Sequence, residues 1–274
     1  MTSVETKRRV AQIYAALTAG QAGARVLLYH AIGEGSGETP ASEFARQTDW
    51  LAQHLEIVGL ESILAAGAAG QSRKVAITFD DGYSSLATEA LAIIGAHGAG
   101  ATAYINAGWI GRDEPRRSSI EHGHYANQWF LTWTEVRRLI SAGWTVGSHG
   151  VDHLDLTALQ YARVQNELER SRSIIEAETG ATCRHFAYTW GRHNAAVRKA
   201  VMEAGYHSAA ACHHGALRPG FDRLAFARIN VDCGWSLDDF AAVMQGDWDY
   251  LGWLQRGRLL AANVLGPREA RNGA

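Results

Sequence analysis

The sequence contains few cysteines and no long apolar run, and each absence argues against a class of protein. Only Cys183, Cys212 and Cys233 occur among 274 residues. Their odd number and wide spacing do not suit a disulfide framework. We therefore expect reduced thiols and a cytoplasmic protein. No apolar stretch approaches the roughly 20 residues that a membrane-spanning helix needs, so we expect no membrane span.

Charge of one sign is not in excess either. The chain has 26 Lys and Arg against 28 Asp and Glu, which gives a net charge of −2. A balanced charge without an extended basic cluster argues against nucleic acid as a partner. Residues 1–9 lack the basic, apolar and small-residue order of a signal peptide, in agreement with a cytoplasmic location. The hydrophobic fraction of 47% is sufficient for a large core.

What the chain does contain is a regular alternation of short apolar segments and helical segments. The predicted strands are 25–30, 75–79, 101–106, 144–147, 183–188, 207–212 and 226–231. Such alternation predicts parallel strands with helices outside them, arranged as an open sheet or a barrel. In both arrangements the functional residues gather at the carboxyl ends of the strands.

Three regions follow from this pattern. We predict an amphipathic helix within residues 1–24, an α/β domain over 25–248 and a helical tail over 249–274 that packs on the domain. Capping boxes predict two helix starts, at Thr132 with Glu135 and at Ser236 with Asp239. A long helix is predicted from about residue 157 to 178.

The strand at 75–79 ends in two adjacent carboxylates, Asp80 and Asp81. Neighbouring carboxylates at a buried strand end raise each other's pKa, and a cation would remove that conflict. His149 and His153 follow the strand at 144–147 and are the next candidate ligands. One Asp and two His leave coordination positions open for water and substrate, as in catalytic zinc sites, and the second carboxylate is then free to act as a base. This pattern indicates a metal-dependent hydrolase.

Simpler roles exist for the same residues. An Asp before a helix is often only an N-cap, and a lone His is more often a core residue than a ligand. The spacing of His149 and His153 together with the paired carboxylates favours the metal site over both alternatives. The polar loop at 108–130 carries His122 and His124, which we leave out of the ligand set. Sugar stacking is one role for Trp109, Trp129 or Trp190, and core packing is the commoner role of tryptophan.

Two motifs resemble those of a known family. Residues 78–82 read T-F-D-D-G and residues 149–153 read H-x-x-x-H, about seventy residues further along. These are similar to the first two motifs of the polysaccharide deacetylases, the NodB-homology family or carbohydrate esterase family four. The segments at 131–135 and 186–191 also resemble the family, so the similarity extends over about residues 25–231.

The resemblance implies a fold and a reaction. The fold is a distorted (β/α)7 barrel, and the reaction is hydrolysis of the N-acetyl group of an acetylated amino sugar, which releases acetate. Asp80 would be the general base that deprotonates the attacking water. The implied metal ligands are Asp81, His149 and His153, with zinc as the default among divalent ions. The implied substrate and oxyanion residues, led by the backbone N–H of Trp190, are Tyr188, Trp190 and Gly191.

The sequence departs from the family in two motifs. The third motif usually carries Arg and Pro where this chain has Ala187 and Thr189, so the arginine that orients the base must come from elsewhere, and Arg228 is the candidate. The C-terminal Leu-x-His motif that usually supplies the general acid is missing, since no histidine follows His214. The strand ending in His30 resembles the branch that includes poly-N-acetylglucosamine deacetylases, where an N-terminal histidine takes that place. His30 is therefore the predicted acid.

Two other functions stay open at this point. One is hydrolysis of a different amide or a cyclic imide by a metal-independent relative of the same fold. The other is a catalytically inactive, carbohydrate-binding barrel. The altered third motif and the missing histidine favour the inactive barrel, whereas the complete Asp-His-His set argues against both. The sequence does not predict the sugar or the oligomeric state.

Overall fold

Eight short parallel strands form the framework of the protein in a computed structural model, which describes residues 4–17, 23–35, 37–67, 71–111 and 128–255. All pairings between these strands are parallel. The strands are β1 (Arg25–Tyr29), β2 (Glu56–Ile57), β3 (Lys74–Phe79), β4 (Thr102–Ile105), β5 (Thr145–Ser148), β6 (His185–Ala187), β7 (Ser208–Ala210) and β8 (Ile229–Asn230).

The sheet curls until its two edges meet. Its order is β7-β6-β5-β4-β3-β1-β8, and β2 pairs only with the start of β3. The segment 226–230 closes the ring. Phe226 forms a parallel bridge to Ala210, with N–H···O distances of 3.1 and 2.9 Å to the residues on either side, whereas Ile229 pairs with Leu27 in β1. Seven strands therefore surround one interior, and the predicted distorted (β/α)7 barrel is confirmed.

Helices cover the outside of the barrel and connect successive strands. They are α1 (Val4–Leu17), α2 (Ala41–His54), α3 (Leu60–Ala65), α4 (Leu91–Gly95), α5 (Trp133–Ser141), α6 (Tyr161–Thr179), α7 (Ala195–Glu203) and α8 (Leu237–Gln245). A π-helical turn, Leu86–Ala90, precedes α4. Both predicted capping boxes, at the starts of α5 and α8, are confirmed.

The predicted start of the long helix was wrong. Residues 156–158 form a separate 3-10 turn, capped by the Asp155 carboxylate that accepts the Thr157 N–H. Leu159 and Gln160 are extended, so α6 begins only at Tyr161. The two-residue strand β2 and the short helix α3 were not predicted, because segments this short carry no measurable periodicity.

The barrel interior is filled by apolar side chains and closed at the amino ends of the strands by α3. Leu60, Ile63 and Leu64 pack there against inner-face residues of the sheet. Tyr104 from β4 crosses the interior and lies over Gly147 in β5, where an added Cβ would come within 2.6 Å of the tyrosine ring. A glycine is therefore required at position 147, because any side chain there would displace Tyr104.

The two described ends of the chain pack on each other. The side chain of Arg8 in α1 pairs with Asp239 at the start of α8. Tyr14 contacts the rings of Tyr250 and Trp253, at centroid distances of 6.0 and 5.9 Å. These contacts join α1 to residues 250–255, which are helical.

Several sequence predictions fall on residues that the structure does not describe. The part of the predicted tail after residue 255 lies outside the described residues, as do His122 and His124 in the loop at 112–127. Among the described helices, none has both the length and the apolar composition needed to cross a membrane.

His214 is buried where the two ends of the chain pack together, and it should make the free energy of unfolding depend on pH. Burial is the main cause that lowers the pKa of His214 to about 4, although Asp249 lies 3.9 Å from its Nε2 and opposes the shift. Because His214 is neutral when folded and has a pKa near 6.5 when unfolded, protons stabilise the unfolded chain. We expect the free energy of unfolding to fall by about 3 kcal/mol between pH 6.5 and pH 4 from this residue.

Urea denaturation across this pH range measures the effect. His214→Leu is expected to flatten the pH dependence, whereas His207→Leu, which changes an exposed histidine, should leave it intact. An equally steep loss of stability in His214→Leu would contradict the assignment.

Candidate active site

The predicted metal ligands meet at the carboxyl ends of two barrel strands. Asp81 follows β3, and His149 and His153 follow β5. The Nε2 atoms of His149 and His153 lie 3.6 and 3.4 Å from Asp81 Oδ1. Among the described residues, these three form the one group of at least three His, Cys, Asp or Glu side chains whose ligand atoms all lie within 4.8 Å of one another.

The donor atoms fit a tetrahedral divalent cation. Metal–ligand bonds of 2.0–2.1 Å place the ligand atoms of a tetrahedral zinc site about 3.3 Å apart, close to the two distances above. His149 Nδ1 hydrogen-bonds to the carbonyl oxygen of Ala187 at 2.8 Å, which leaves Nε2 with a lone pair for a cation. Asn106 donates to Asp81 Oδ1 at 3.2 Å and orients that carboxylate. The residues present are therefore suited to zinc or a similar ion.

Asp80 lies beside this group and is held by an arginine. Arg228 donates two hydrogen bonds to it, Nη1 to Oδ1 at 2.6 Å and Nη2 to Oδ2 at 2.8 Å. Burial alone would raise the pKa of Asp80, but Arg228, His149 and His30 together outweigh burial and hold the pKa below its usual range. Asp80 is consequently ionised at neutral pH, and its Oδ2 lies 3.8 Å from His149 Nε2.

Arg228 itself is completely buried and fully engaged. Its Nε donates to the Ala211 carbonyl at 3.1 Å, and Nη1 also lies 3.3 Å from Thr78 Oγ1. The Cys212 sulfur is 3.8 Å from Nη2, and the guanidinium lies 5.3 Å from the centre of the Tyr104 ring. A planar, bidentate cation in such a cage holds the Asp80 carboxylate in one orientation.

Backbone strain is concentrated at the same place. Three non-glycine residues in the described chain have positive φ, namely Asp81 (72°), His153 (54°) and Trp190 (52°). Asp and His enter this left-handed region more readily than most residues, whereas a bulky tryptophan there is an outlier. Such strain costs on the order of 1–3 kcal/mol per residue and is typical of functional sites, where the surroundings enforce it.

Comparison with known proteins agrees with the geometry. The sequence model of the family described as polysaccharide deacetylase matches residues 67–209, which is more than half of the chain. The chain belongs to the polysaccharide deacetylase family. Membership places it among hydrolases that act on N-acetyl groups of sugars. The matched region contains both carboxylates, both histidines and Trp190, but not His30 or Arg228.

Relatives share much of the length of this polysaccharide deacetylase. YxkH of Bacillus subtilis (strain 168), whose own name as a polysaccharide deacetylase is provisional, is 27% identical over 225 residues, which cover 80% of this chain and 75% of YxkH. IcaB from Ammonifex degensii has the same fold, with a TM-score of 0.71 at 22% identity, covering 84% of this chain and 98% of IcaB. The Streptococcus pyogenes deacetylase PplD, solved in complex with acetate, gives a TM-score of 0.68 at 20% identity and covers 81% and 98% of the two chains.

A buried glutamate that sequence reasoning missed supports the histidine loop of the deacetylase. One oxygen of Glu167 accepts the N–H groups of Val151 and Asp152 at 2.7 and 2.9 Å, between the two histidines. Glu167 lies on α6 and is 2% exposed. The sequence signal for this role was the position of Glu167 beside the apolar face of α6, because a charged side chain that is buried there needs a hydrogen-bond or charge partner.

We expect Glu167→Ala to weaken metal binding by about 10–100-fold, because the loop that carries His149 and His153 would lose two hydrogen bonds. Glu167→Gln keeps an acceptor oxygen and should bind the ion within about threefold of the unchanged protein. Competition with a zinc-binding dye measures both affinities. Equal affinities of the two variants would show that Glu167 does not hold the loop.

The other predicted residues are placed as follows. His30 follows β1, is partly buried, and is close enough to Asp80 to lower its pKa. Trp190 is 43% exposed, with its ring centroid 4.6 Å from that of His153 and the two rings nearly perpendicular, and Gly191 follows it. Tyr188 is not brought into the site, because its buried hydroxyl donates to the Leu224 carbonyl at 2.7 Å. Trp109 is buried and packs on His153.

A second arrangement looks catalytic but is closed to substrate. Ser208, His185 and Glu61 form a chain with distances of 2.8 Å at both ends of the imidazole. The serine and histidine are both only 1% exposed and lie at the amino ends of β7 and β6, opposite the candidate site. The chain therefore joins α3 to the barrel and is not a nucleophilic triad.

Proposed function

We propose that this deacetylase is a metal-dependent enzyme that hydrolyses the N-acetyl group of an acetylated amino sugar and releases acetate. The observation that carries the proposal is Asp80, an ionised carboxylate held by Arg228 within 4 Å of the Asp81-His149-His153 group. Hydrolysis of an amide needs an activated water, a partner for the oxyanion and a proton for the leaving amine, and we assign one residue of the site to each requirement.

Asp80 is the proposed general base. It takes a proton from the attacking water, whose oxygen forms a bond to the carbonyl carbon. Arg228 keeps the carboxylate ionised and aimed, so the proton is accepted without a change in side-chain position. We assign Arg228 the orienting role of the arginine that the third motif usually carries. In this chain the motif has Ala187 instead, which contributes only its backbone carbonyl, as the acceptor of a hydrogen bond from His149.

His30 and Trp190 complete the proposed reaction. His30 directly follows the neighbouring strand β1 and lies near Asp80, which supports it as the acid that gives a proton to the amine nitrogen as the carbon–nitrogen bond breaks. The backbone N–H of Trp190, with Gly191 allowing the tight turn, is the proposed donor to the oxyanion. The products are acetate and a free amino sugar. The acetate complex of PplD supports this product class.

Asp81, His149 and His153 would hold the divalent ion, with zinc as the first choice from the nitrogen and oxygen donors. When bound, such an ion supplies Lewis acidity, which makes a water more acidic and polarises the acetyl carbonyl.

Acetate release tests the proposal directly. The protein is loaded with zinc, cobalt or nickel and offered N-acetylated amino sugars, and free acetate and free amine are measured in equal amounts. We expect release that stops after dialysis against a chelator and returns with the ion. Release that survives complete removal of metal would support the metal-independent amide hydrolase instead. Tight metal binding without any release from a broad panel of sugars would support the inactive barrel.

A further inference from the structure

Tyr104 contacts Arg228 from inside the barrel, and it does so with its ring alone. The side chain is 0% exposed, and its hydroxyl has no hydrogen-bond partner among the described residues. A buried hydroxyl without a partner destabilises the fold. Any contribution of Tyr104 to the site therefore comes from the aromatic ring and not from the hydroxyl.

The position of the ring is fixed by two neighbouring strands. Tyr104 in β4 pairs with Gly147 in β5, and a Cβ on that glycine would lie 2.6 and 2.7 Å from two ring carbons. The ring therefore packs directly on the backbone of β5. On the other side of β4, Phe79 in β3 pairs with Ala103. Tyr104 and Asp80 each follow one residue later, so Tyr104 stands beside the strand end that carries the proposed base.

Hydrogen bonds occupy the whole edge of the Arg228 guanidinium. Its five N–H groups lie in one plane, and the groups that accept them are both oxygens of Asp80, the hydroxyl of Thr78, the carbonyl of Ala211 and the sulfur of Cys212. Because the edge is used, the face of the cation is what remains for Tyr104. The guanidinium carbon lies over the tyrosine ring, 5.3 Å from its centroid.

A π face at this distance restrains the cation in a direction that the edge contacts do not. A guanidinium within about 6 Å of a ring centroid is attracted to the ring electrostatically, and the attraction is larger where water is excluded. Arg228 and Tyr104 are both 0% exposed. The contact therefore opposes rotation of the guanidinium away from the Asp80 carboxylate, which would break one or both of the hydrogen bonds between them.

We propose that Tyr104 is a positioning residue, whose π face holds Arg228 in the orientation that donates two hydrogen bonds to Asp80. The inference rests on the function proposed above. Because the ring is completely buried, it does not reach the sugar, and its effect is expected in kcat and not in KM.

Three substitutions separate the π face from the size of the side chain. Tyr104→Phe keeps the ring and removes only the unpaired hydroxyl, so kcat should stay within about twofold of the unchanged protein. A phenylalanine at position 104 whose ring carries three fluorine atoms keeps the shape but loses the negative face, and Tyr104→Leu loses the ring. Both should lower kcat about tenfold and leave KM within about twofold. The kinetics of acetate release are measured on folded protein that holds one metal ion per chain.

The same fluorinated residue in place of Tyr206 is the matched control. Tyr206 is also buried, but its ring packs on Phe186 and its hydroxyl donates to the Leu168 carbonyl at 3.1 Å, so kcat should not change. Equal kcat for Tyr104→Phe and the fluorinated variant at 104 would overturn the proposal, because the ring would then act only through its size. A rise in KM without a fall in kcat would overturn it as well.

A second readout does not need turnover. Nitrogen NMR of the Arg228 side chain measures how fast its two terminal NH2 groups exchange by rotation about the Cζ–Nε bond. We expect rotation about tenfold faster in the fluorinated variant and in Tyr104→Leu than in Tyr104→Phe. If no sugar releases acetate, this difference in rotation would keep the positioning role and reject the deacetylase function. Equal rotation rates in all variants would overturn the positioning role, whether or not acetate is released.

Discussion

Asp80→Asn is expected to reduce kcat by about 10²- to 10⁴-fold while the protein still binds one divalent ion per chain. The amide is the same size as the carboxylate but cannot accept a proton from water. The proposed metal ligands remain, because Asp81, His149 and His153 are unchanged. Acetate release and elemental analysis of the same preparation measure the two properties together. Asp49→Asn, which changes an exposed aspartate on α2, is the matched control.

Loss of stability must be separated from loss of the base in this experiment. Asp80→Asn leaves the guanidinium of Arg228 buried without its counter-charge, which should lower the free energy of unfolding by about 3–5 kcal/mol. Adding Arg228→Met removes the unpaired charge, so the double variant should recover most of that stability and none of the activity. Recovery of turnover in the double variant, or full turnover in Asp80→Asn alone, would reject Asp80 as the base.

His149→Ala is expected to lose both the ion and the activity. Removal of one of three protein ligands should weaken zinc binding by more than about 100-fold. This loss of affinity is larger than the loss expected for a residue that only supports a ligand, such as Glu167. Elemental analysis after exchange against excess zinc and dialysis should give close to one ion per chain for the unchanged protein and close to none for the variant.

The control for His149→Ala is His207→Ala, which removes an exposed histidine immediately before β7. Its metal content should equal that of the unchanged protein. A thermal melt without metal shows whether His149→Ala is folded, since the variant should lose only the hydrogen bond to Ala187 and local packing. A folded His149→Ala protein that retains one tightly held ion would place the metal elsewhere.

The position of the site was predictable because it depends on local signals. An apolar run that ends in Asp80 and Asp81, and another that ends in His149, place these side chains at the carboxyl ends of parallel strands. In a parallel barrel those ends share one face, so residues about seventy positions apart were expected to meet. Arg228 was chosen because the third motif lacks its usual arginine, and the structure brings Arg228 to Asp80.

The remaining features depend on packing that a single sequence does not reveal. Glu167 supports the histidine loop from the middle of α6. The Tyr104 ring lies beside Arg228 and occupies the space that a side chain at Gly147, on the adjacent strand, would otherwise fill. Tyr188 lies in a motif segment that points to the site, yet its hydroxyl turns to Leu224. Side-chain direction at a strand end is decided by neighbouring loops and not by the local pattern.

The closure of the barrel by residues 226–230 has a consequence for biosynthesis. Those residues are made after the strands β1 to β7, and they bring Arg228 to Asp80 when they join β7 to β1. A nascent or truncated chain that stops before residue 226 contains Asp81, His149 and His153 but lacks the guanidinium that holds Asp80. Arg228 therefore couples closure of the ring to the orientation of Asp80, so an unfinished chain contains the proposed metal ligands before Asp80 has its partner.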